Sequence, residues 1–524
     1  MSGSDTDQPT IAVEPPARPP GSTARHALGG MIWSGLGFGA QGIGQFLVVI
    51  VFARYLTKTD NGVVAAALIV IALGQLFTEA GFGPAVVQRE NLTDEHIRTA
   101  FALSVLSGVA MTVLVWLSAP LAADFFHQPA LTGVMRGLAF VFTLMGPGVV
   151  AMALLQRDLD FKSIAIAETV SYFLGFAGVG VVLAVSGVGV FAIVWAQLAQ
   201  AALLSGILLI RRHHPKSLRP HKQESIDLVV YAGGMTAARG FNFIALYGDN
   251  TVVGNRMSAA DLGAYKNAYQ LAAVPAQLLG QVMDRVIFPV LSRFQEDKQR
   301  VANAYLRGIA LVAMITIPAS IVVVLLGPEV IHVLLGGGTK WDDAIVPFQI
   351  FAAGLIFRTS YKISDSLARA MGTVYRRAWR QAVYAVAVIV GAFIGTAFGL
   401  VWVAVGVTGA IVLNYLLMAD LSIRTVPIGW WHFAVRQTRG LWLGLVVAVP
   451  CVPVALAMRG SGAGNLATIF ATLLVAAIAL GLSWWIAPGV TLGGDGAWFV
   501  EVVKSRTGDD DDDPPAPITL EVTA

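Results

Sequence analysis

Four charged side chains in and just after a long apolar run, near residues 344–368, are the clearest candidates for a functional site in this sequence. Arg358, Lys362 and Asp365 stand at positions i, i+4 and i+7, and Arg369 follows at i+11. This spacing places all four on one face of an α-helix. If the run crosses a membrane, an ionised group at its centre costs roughly 2.5–3.5 kcal/mol. We therefore expect the charged face to line a cavity and not to contact lipid.

A further arginine, Arg239, lies in another apolar run and is predicted to reach a similar depth. A guanidinium group presents a planar fork that can grip two oxygens of an anion through paired hydrogen bonds. Arg239, Arg358 and Lys362 are therefore candidates for an anion site. The alternative is that these cations extend to an interface or pair with acids to fix helix packing, which applies most to Lys362 and Arg369.

Four further charges, together with Asp365, are candidates for gating or ion coupling. Asp249 and Lys266 are predicted in the outer third of neighbouring helices, where they could form an external gate or a permanent ion pair. Glu79 and Arg136 are lone charges in the first half of the chain, and Asp365 completes the set. Glu79 could couple a proton or a cation, or it could be a satisfied buried carboxylate.

The composition indicates that the whole chain is built for a membrane. Of 524 residues, 56% are hydrophobic and only 13% are charged, whereas soluble domains carry about 25% charged residues. Apolar runs of the length needed to cross a bilayer recur from Met31 to Ile486. The one cysteine, Cys451, allows neither an intrachain disulfide nor a thiolate metal site. We expect a polytopic all-α membrane protein that needs no cofactor.

The pattern of apolar runs predicts about fourteen transmembrane helices. They cover residues 28–52, 61–84, 99–122, 131–155, 163–186, 188–210, 227–254, 260–283, 305–327, 344–368, 378–397, 399–421, 438–458 and 464–487. The odd-numbered loops contain few basic residues, namely Arg54, Lys58, Arg256, Lys340 and Arg459. By the positive-inside rule, both termini are predicted to be cytoplasmic in a bacterial inner membrane.

A basic loop at residues 211–226 falls halfway along the chain and suggests a division into segments. The predicted segments are a disordered tail (1–27), a first six-helix lobe (28–210), the basic linker (211–226), a second six-helix lobe (227–421), a final helix pair (422–487) and an acidic tail (488–524).

The first hairpins of the two halves are similar. Residues 54–62 read RYLTKTDNG and residues 255–263 read NRMSAADLG, so that Asp60 matches Asp261 and Gly62 matches Gly263 at a constant offset of 201. Asp-x-Gly is also ordinary turn punctuation between helices. Its recurrence after the first helix of each half favours an internal repeat, as transporters use.

Four passages of the sequence form a recognisable set. They are Phe52 to Gly62 (FARYLTKTDNG), Phe77 to Thr93 (FTEAGFGPAVVQRENLT), Leu154 to Phe161 (LLQRDLDF) and Asp249 to Pro275 (DNTVVGNRMSAADLGAYKNAYQLAAVP). Together they resemble one known family, the Wzx-like polysaccharide flippases of the multidrug/oligosaccharidyl-lipid/polysaccharide exporter superfamily. The resemblance covers roughly residues 27–425. It implies two six-helix lobes around a central cavity that opens alternately to either side.

The resemblance also implies a cargo, a polyprenyl-diphosphate oligosaccharide flipped outward for assembly of an exopolysaccharide or O-antigen-type polymer. Arg239, Arg358 and Lys362 would then hold the diphosphate. The lipid II flippase branch carries charges in its first helix, whereas residues 31–51 carry none, which argues against a peptidoglycan-precursor role. Expected partners are membrane lipids and the polymerase and glycosyltransferases of the pathway, with no nucleic acid. Coupling to protons, to sodium or to membrane potential stays open.

Two other functions are compatible with a polytopic chain. A multidrug or organic-cation antiporter of the same superfamily should present carboxylates to its positively charged cargo, whereas the deep charges here are mainly cationic. A membrane polymerase or ligase needs a water-accessible acid, base or nucleophile. The predicted outward loops are short and carry no recognisable catalytic spacing, so we predict a protein that is not an enzyme.

Overall fold

The computed structural model describes residues 41–42, 44–79, 82–89, 92–220, 225, 243–244, 246–293 and 296–486. Several side chains within these ranges, including that of Glu79 and those of residues 281–290, lie outside the described part. The predicted tails, the start of the first predicted helix and Arg239 also lie outside the described residues.

The described residues of the first half are almost entirely helical. Their helices are α1 (Gly44–Tyr55), α2 (Lys58–Glu79), α3 (Phe82–Gln88), α4 (Asp94–Phe125), α5 (Leu131–Met145), α6 (Gly148–Arg157), α7 (Phe161–Val170), a π-helix (Ser171–Val179), α8 (Gly180–Val185) and α9 (Phe191–Arg211).

The rest of the chain continues in the same way. Its helices are α10 (246–256), α11 (Ala259–Arg293), α12 (Lys298–Leu325), α13 (Gly327–Leu335), a 3-10 helix (Thr339–Ala344), α14 (Ile345–Ala353), α15 (Leu355–Ala370), α16 (Val374–Thr396), α17 (Leu400–Thr425), α18 (Trp430–Val435), α19 (Thr438–Gly460) and α20 (Asn465–Ile486).

These helices confirm the predicted all-α membrane fold. Nine helices of the described part are long and apolar enough to cross a membrane, and eleven are if two bent pairs each count as one crossing. The described ranges contain no β-strand, as expected where only helices and closed barrels satisfy the backbone in lipid. The number fourteen stays a prediction.

Two membrane helices are broken, each the fourth predicted helix of its half. The axes of α5 and α6 differ by 47° across Pro147, and those of the helical stretch Thr339–Ala353 and α15 differ by 43° across Gly354. Proline lacks the N–H that a continuous helix needs, and glycine relaxes the backbone. In each case a serine from a neighbouring helix donates to a carbonyl beside the break, Ser205 at 3.4 Å and Ser320 at 2.6 Å.

The first hairpins of both halves have the same local structure. Thr57 and Asp60 bond each other's backbone N–H groups, both at 3.0 Å, at the start of α2. Ser258 and Asp261 do the same, both at 3.1 Å, at the start of α11. These reciprocal bonds satisfy N–H groups that a helix start leaves without partners. The equivalence of the two hairpins extends from sequence to structure.

The two halves pack together through α2 and α11. The largest group of buried apolar side chains includes Leu131 and Met135 from the first half and Tyr265 and Trp341 from the second, all of them fully buried. The final helices attach to the second half, where α19 packs on α12 so closely that a Cβ on Gly440 would lie 2.6 Å from backbone of Ala313. Small residues at such contacts let membrane helices approach.

Candidate functional site

Arg358 lies one turn beyond the break at Gly354. Its guanidinium carbon is 4.2 Å from the centre of the Tyr269 ring on α11. A cation over an aromatic face is attracted by the ring quadrupole, and this attraction orients the charge without neutralising it. The Nη1 atom is buried and has no hydrogen-bond partner among the described residues. Arg358 is therefore positioned to bind a further group.

Other tyrosines surround this guanidinium. Tyr361 from the same helix and Tyr384 from α16 interact with it electrostatically, and the carboxylate of Asp249 does so more weakly. Within the described ranges, Arg358 forms no ion pair with any carboxylate. Tyrosine rings thus surround Arg358 in the described part of the chain, and its place in a cavity stays a prediction.

Lys362 lies one turn further along α15 and also packs on α11. Its Nζ atom is 3.3 Å from the carbonyl oxygen of Ala276. A Cβ on Gly280 would lie 2.1 Å from the same Nζ, so the lysine side chain lies directly against the glycine and would have to move if a larger residue stood there. Arg358 and Lys362 therefore project from α15 toward one face of α11.

Asp365 is engaged in ion pairs and not in a free acidic site. Arg377 from α16 bonds both of its oxygens, and Arg369, four residues along α15, approaches to 3.2 Å. The Asp365 side chain is only 14% exposed. Two arginines on one shielded carboxylate tie α15 to α16, which favours a packing role for Asp365.

Asp249 and Lys266 do not pair in this structure. Asp249 is 2% exposed and accepts hydrogen bonds from the Tyr265 hydroxyl at 2.8 Å and from the Asn250 backbone at 2.7 Å. Lys266 is half-buried, with no hydrogen bond or ion pair to any residue in the described ranges. The predicted Asp249–Lys266 ion pair is wrong for this state because Tyr265, one residue earlier on α11, reaches the carboxylate instead.

The remaining predicted residues are only partly placed. The guanidinium of Arg136, on α5, lies 4.3 Å from the ring centre of Trp116 on α4, and its Nε atom has no partner among the described residues. Glu79 ends α2, and its side chain lies outside the described part. Arg239 lies outside the described residues altogether, so its role stays a prediction.

The halves are bonded together at the end of the molecule that carries their first hairpins, here called the hairpin end (residues 54–62, 255–263 and 333–343). Lys340 donates to the carbonyl oxygens of Ala53 at 2.8 Å and Leu56 at 2.6 Å, and the Trp341 indole donates to Ala53 at 3.2 Å. Lys58 pairs with Asp343 at 2.5 Å. The hairpin end is therefore closed.

The sequence did not single out two contributors to this site. Tyr269 lies in the passage that carries the strongest family resemblance, and its position eleven residues before Gly280 puts both on the face of α11 that meets α15. Arg377 falls in the predicted loop between residues 368 and 378. A basic residue directly after the Asp365 helix was the available signal for it.

Comparison with known proteins places the chain in a family. The profile of the family described as "Polysaccharide biosynthesis protein" matches residues 51–346, more than half of the chain. The chain belongs to this family. The matched region contains both first hairpins, α11 and the Lys340–Trp341 loop.

Curated relatives extend the match. The lipopolysaccharide biosynthesis protein WzxC of Escherichia coli K12 is 24% identical over 78% of this chain and 82% of its own length. The teichuronic acid biosynthesis protein TuaB of Bacillus subtilis 168 is 22% identical over 67% and 72%. The succinoglycan biosynthesis transport protein ExoT of Rhizobium meliloti 1021 is 25% identical over 60% and 63%.

Solved structures show the same fold. The lipid II flippase MurJ in an inward closed conformation aligns with a TM-score of 0.70 at 14% identity, covering 86% of this chain and 99% of its own. An inward-facing MATE multidrug transporter aligns with a TM-score of 0.60 at 15% identity, covering 74% and 94%. The predicted superfamily and the prediction of a transport protein instead of an enzyme agree with these relatives.

Proposed function

We propose that this protein is a flippase that moves a polyprenyl-diphosphate-linked oligosaccharide from the cytoplasmic to the periplasmic leaflet for assembly of an extracellular or O-antigen-type polymer. Relatives named for lipopolysaccharide, teichuronic acid and succinoglycan biosynthesis support the polymer class. The MurJ-like fold supports a flipping mechanism, because MurJ itself is a lipid II flippase.

The observation that carries the proposal is the setting of Arg358. Its guanidinium rests on Tyr269 and, in the described ranges, is free of carboxylate partners. A buried cation held by aromatic faces keeps its charge available for a phosphate oxygen, which prefers the planar fork of arginine. Lys362, one turn away on the same helix, adds a second positive charge for a diphosphate.

The hairpin end provides one gate of an alternating-access cycle. With the predicted topology, residues 54–62 and 333–343 face the periplasm, both termini face the cytoplasm, and the described state is closed to the outside. Opening would separate Lys58 from Asp343 and remove Lys340 from the end of α1. The polymerase and glycosyltransferases that make and use the cargo are the expected partners in the inner membrane.

A multidrug or organic-cation antiporter is the second candidate, since a MATE transporter shares the fold. Such a cargo is positive and calls for accessible carboxylates. In the described part of the second half, Asp365 is paired with two arginines and Asp249 is bonded to Tyr265. Arg358 and Lys362, which the proposal assigns to the cargo, and Lys266 are all cations, and their sign favours an anionic cargo.

The test is complementation of the deletion strain of the native host, with surface polymer and lipid-linked oligosaccharide both measured. Wild type should restore polymer, and Arg358→Gln should lower export by roughly 10- to 100-fold, the loss expected for a charge-assisted hydrogen bond to phosphate. Lipid-linked oligosaccharide should accumulate in the Arg358→Gln cells because synthesis continues without flipping.

The matched control is Arg256→Gln. Arg256 is also a cation stacked on an aromatic ring, 4.1 Å from the centre of Phe393, but it is exposed at the hairpin between α10 and α11. It should export normally. Full export by Arg358→Gln at equal membrane level would contradict the cationic site. A deletion strain that makes normal polymer but loses resistance to cationic drugs would favour the antiporter.

A further inference from the structure

A polar cavity lies inside the first half, away from Arg358. Its volume is about 220 Å³, and the described residues that line it are Gln41, Gln45, Tyr172, Phe176, Gln197 and Gln200. The lining comes from the chain at α1, from the π-helix and from α9. Four amide side chains around one cavity are unusual among helices as apolar as these.

The polar groups that line this cavity have no side-chain hydrogen-bond partner in the part of the chain that the structure describes. The Tyr172 hydroxyl is buried and has no hydrogen-bond partner among the described residues, and the residue is 8% exposed. No described residue forms a side-chain hydrogen bond with any of the four glutamines. Of the described polar groups here, the Tyr172 hydroxyl is buried, Gln45 is exposed and the other three glutamines are half-buried. A buried hydroxyl without a partner is rare in native proteins, and its position beside four amide side chains on one cavity indicates a polar occupant.

The π-helix builds the aromatic wall. Tyr172 and Phe176 project from it one turn apart, with ring centres 5.5 Å apart and planes at 30°. Gly175 lets α9 approach, since a Cβ there would lie 2.6 Å from the backbone of Gln200. Single π-turns often mark functional sites in helices. Here the π-helix brings two aromatic rings and the amide of Gln200 to one cavity.

The chemistry of the lining selects the occupant. None of the described lining residues is charged, and amide and aromatic side chains are poor ligands for a phosphate or a metal ion. An amide offers a donor pair and an acceptor, which match the vicinal hydroxyls of a sugar. Aromatic faces suit the apolar C–H face of a sugar ring. The volume is below the roughly 300–1,000 Å³ of drug-sized pockets and fits a single ring.

We propose that this glutamine cavity binds one neutral sugar residue of the lipid-linked cargo, while the cations of the second half hold the diphosphate. The inference rests on the proposed function and adds a carbohydrate subsite to it. The headgroup would then be held by two halves at once, its sugar by α1, the π-helix and α9 and its phosphates by α15.

Binding by purified full-length protein in nanodiscs tests this proposal. The probes are undecaprenyl diphosphate, which has no sugar, and the lipid-linked oligosaccharide extracted from the deletion strain of the native host. The variants are Tyr172→Phe, which removes only the hydroxyl, and Gln200→Leu. Gln299→Leu is the matched control, because Gln299 is exposed at the start of α12.

Each pocket variant should bind the sugar-bearing lipid about tenfold more weakly than wild type, the order expected from one or two lost hydrogen bonds. Each should bind undecaprenyl diphosphate within about twofold of wild type. The control Gln299→Leu should bind both lipids within about twofold of wild type. Arg358→Gln should weaken both lipids. Unchanged binding of the sugar-bearing lipid by both pocket variants would mean that the cavity holds water only, and equal loss of both lipids would also overturn the subsite. Wild type that binds neither lipid would instead refute the proposed function.

Discussion

Gly62 and Gly263 hold equivalent positions in the two halves, and each lies against the backbone of the other half. A Cβ on Gly62 would stand 1.7 Å from the carbonyl oxygen of Ala259, and one on Gly263 would stand 2.2 Å from that of Lys58. Lys58 and Ala259 are themselves 201 residues apart, as the glycines are. The contact between α2 and α11 is therefore reciprocal, as a pseudo-two-fold relation between the halves requires.

Gly62→Ala should prevent closure of the hairpin end. The added methyl group cannot fit against a rigid carbonyl, so the helices must separate, at a cost of about 1–3 kcal/mol for an overpacked contact. We expect a lower melting temperature of the purified protein and reduced polymer export. Gly206→Ala, on α9, is the control, because nothing lies within 4 Å of a Cβ there. Equal melting temperatures for the two variants would contradict the tight contact.

Asp365→Asn should destabilise the fold more than it affects transport per folded molecule. It leaves Arg369 and Arg377 without their shared carboxylate, and an unpaired charge in a shielded site costs up to about 3–5 kcal/mol. Arg377→Gln should cost less because Arg369 still pairs with Asp365. Thermal unfolding and export, each normalised to membrane level, check this. A fully stable but inactive Asp365→Asn would assign the residue to ion coupling instead.

Lys266→Gln should not destabilise the fold, in contrast to Asp365→Asn. The Lys266 ammonium has no partner in the described ranges, so its neutral replacement removes a desolvated charge at no loss of bonds. We expect a melting temperature equal to or above that of wild type, with export lowered if the charge meets the cargo. Tyr265→Phe is the comparison. It removes the hydrogen bond that the Tyr265 hydroxyl donates to the buried Asp249 and should lower the melting temperature. A destabilised Lys266→Gln would show that the lysine has a structural partner.

Glu329 should make the attachment of the final helices sensitive to acid. Burial raises the pKa of this 4% exposed carboxylate, but hydrogen bonds from Arg459 at 2.6 and 2.8 Å outweigh burial and hold the pKa below its ordinary value of 4.5. A depressed pKa contributes stability above the ordinary value, and this stability is lost as the pH falls through the folded pKa.

The melting temperature of wild type should therefore fall as the pH drops below about 4.5, the ordinary value of such a carboxyl, and Glu329→Gln should show a smaller fall from a lower starting point. The cost at neutral pH should be about 1–3 kcal/mol, as for a charged group that loses its partner. Asp297→Asn, at an exposed helix start, serves as control. Parallel pH curves for wild type and Glu329→Gln would argue against the pair.

The sequence predicted the parts of the fold that depend on local pattern. Asp60 and Asp261 could be matched because a helix start uses the same few residues wherever it occurs, and the structure gives both the same capping bonds. The membrane depth of Arg358, inferred from its place in an apolar run, stays a prediction. Membership in the polysaccharide biosynthesis family was likewise visible in short passages around the first hairpins.

The partners of each charge could not be predicted in the same way. Whether Asp249 meets Lys266 or Tyr265 depends on a rotation of one residue along α11, which is finer than a boundary known to about three residues. Arg377 reaches Asp365 only because α16 folds back on α15. The glutamine cavity needs the wider turn of the π-helix, which has no simple sequence signature.

Lys340 and Trp341, in the 3-10 helix Thr339–Ala344, stabilise the closed state of the hairpin end. They supply donors to the last carbonyls of α1, groups that a helix end leaves bare. Trp341 is fully buried in doing so. Separation of the halves there would expose the indole to water and remove the hydrogen bonds of those oxygens at the same time. A molecule without cargo should therefore rest closed on that side until a bound ligand stabilises the open state.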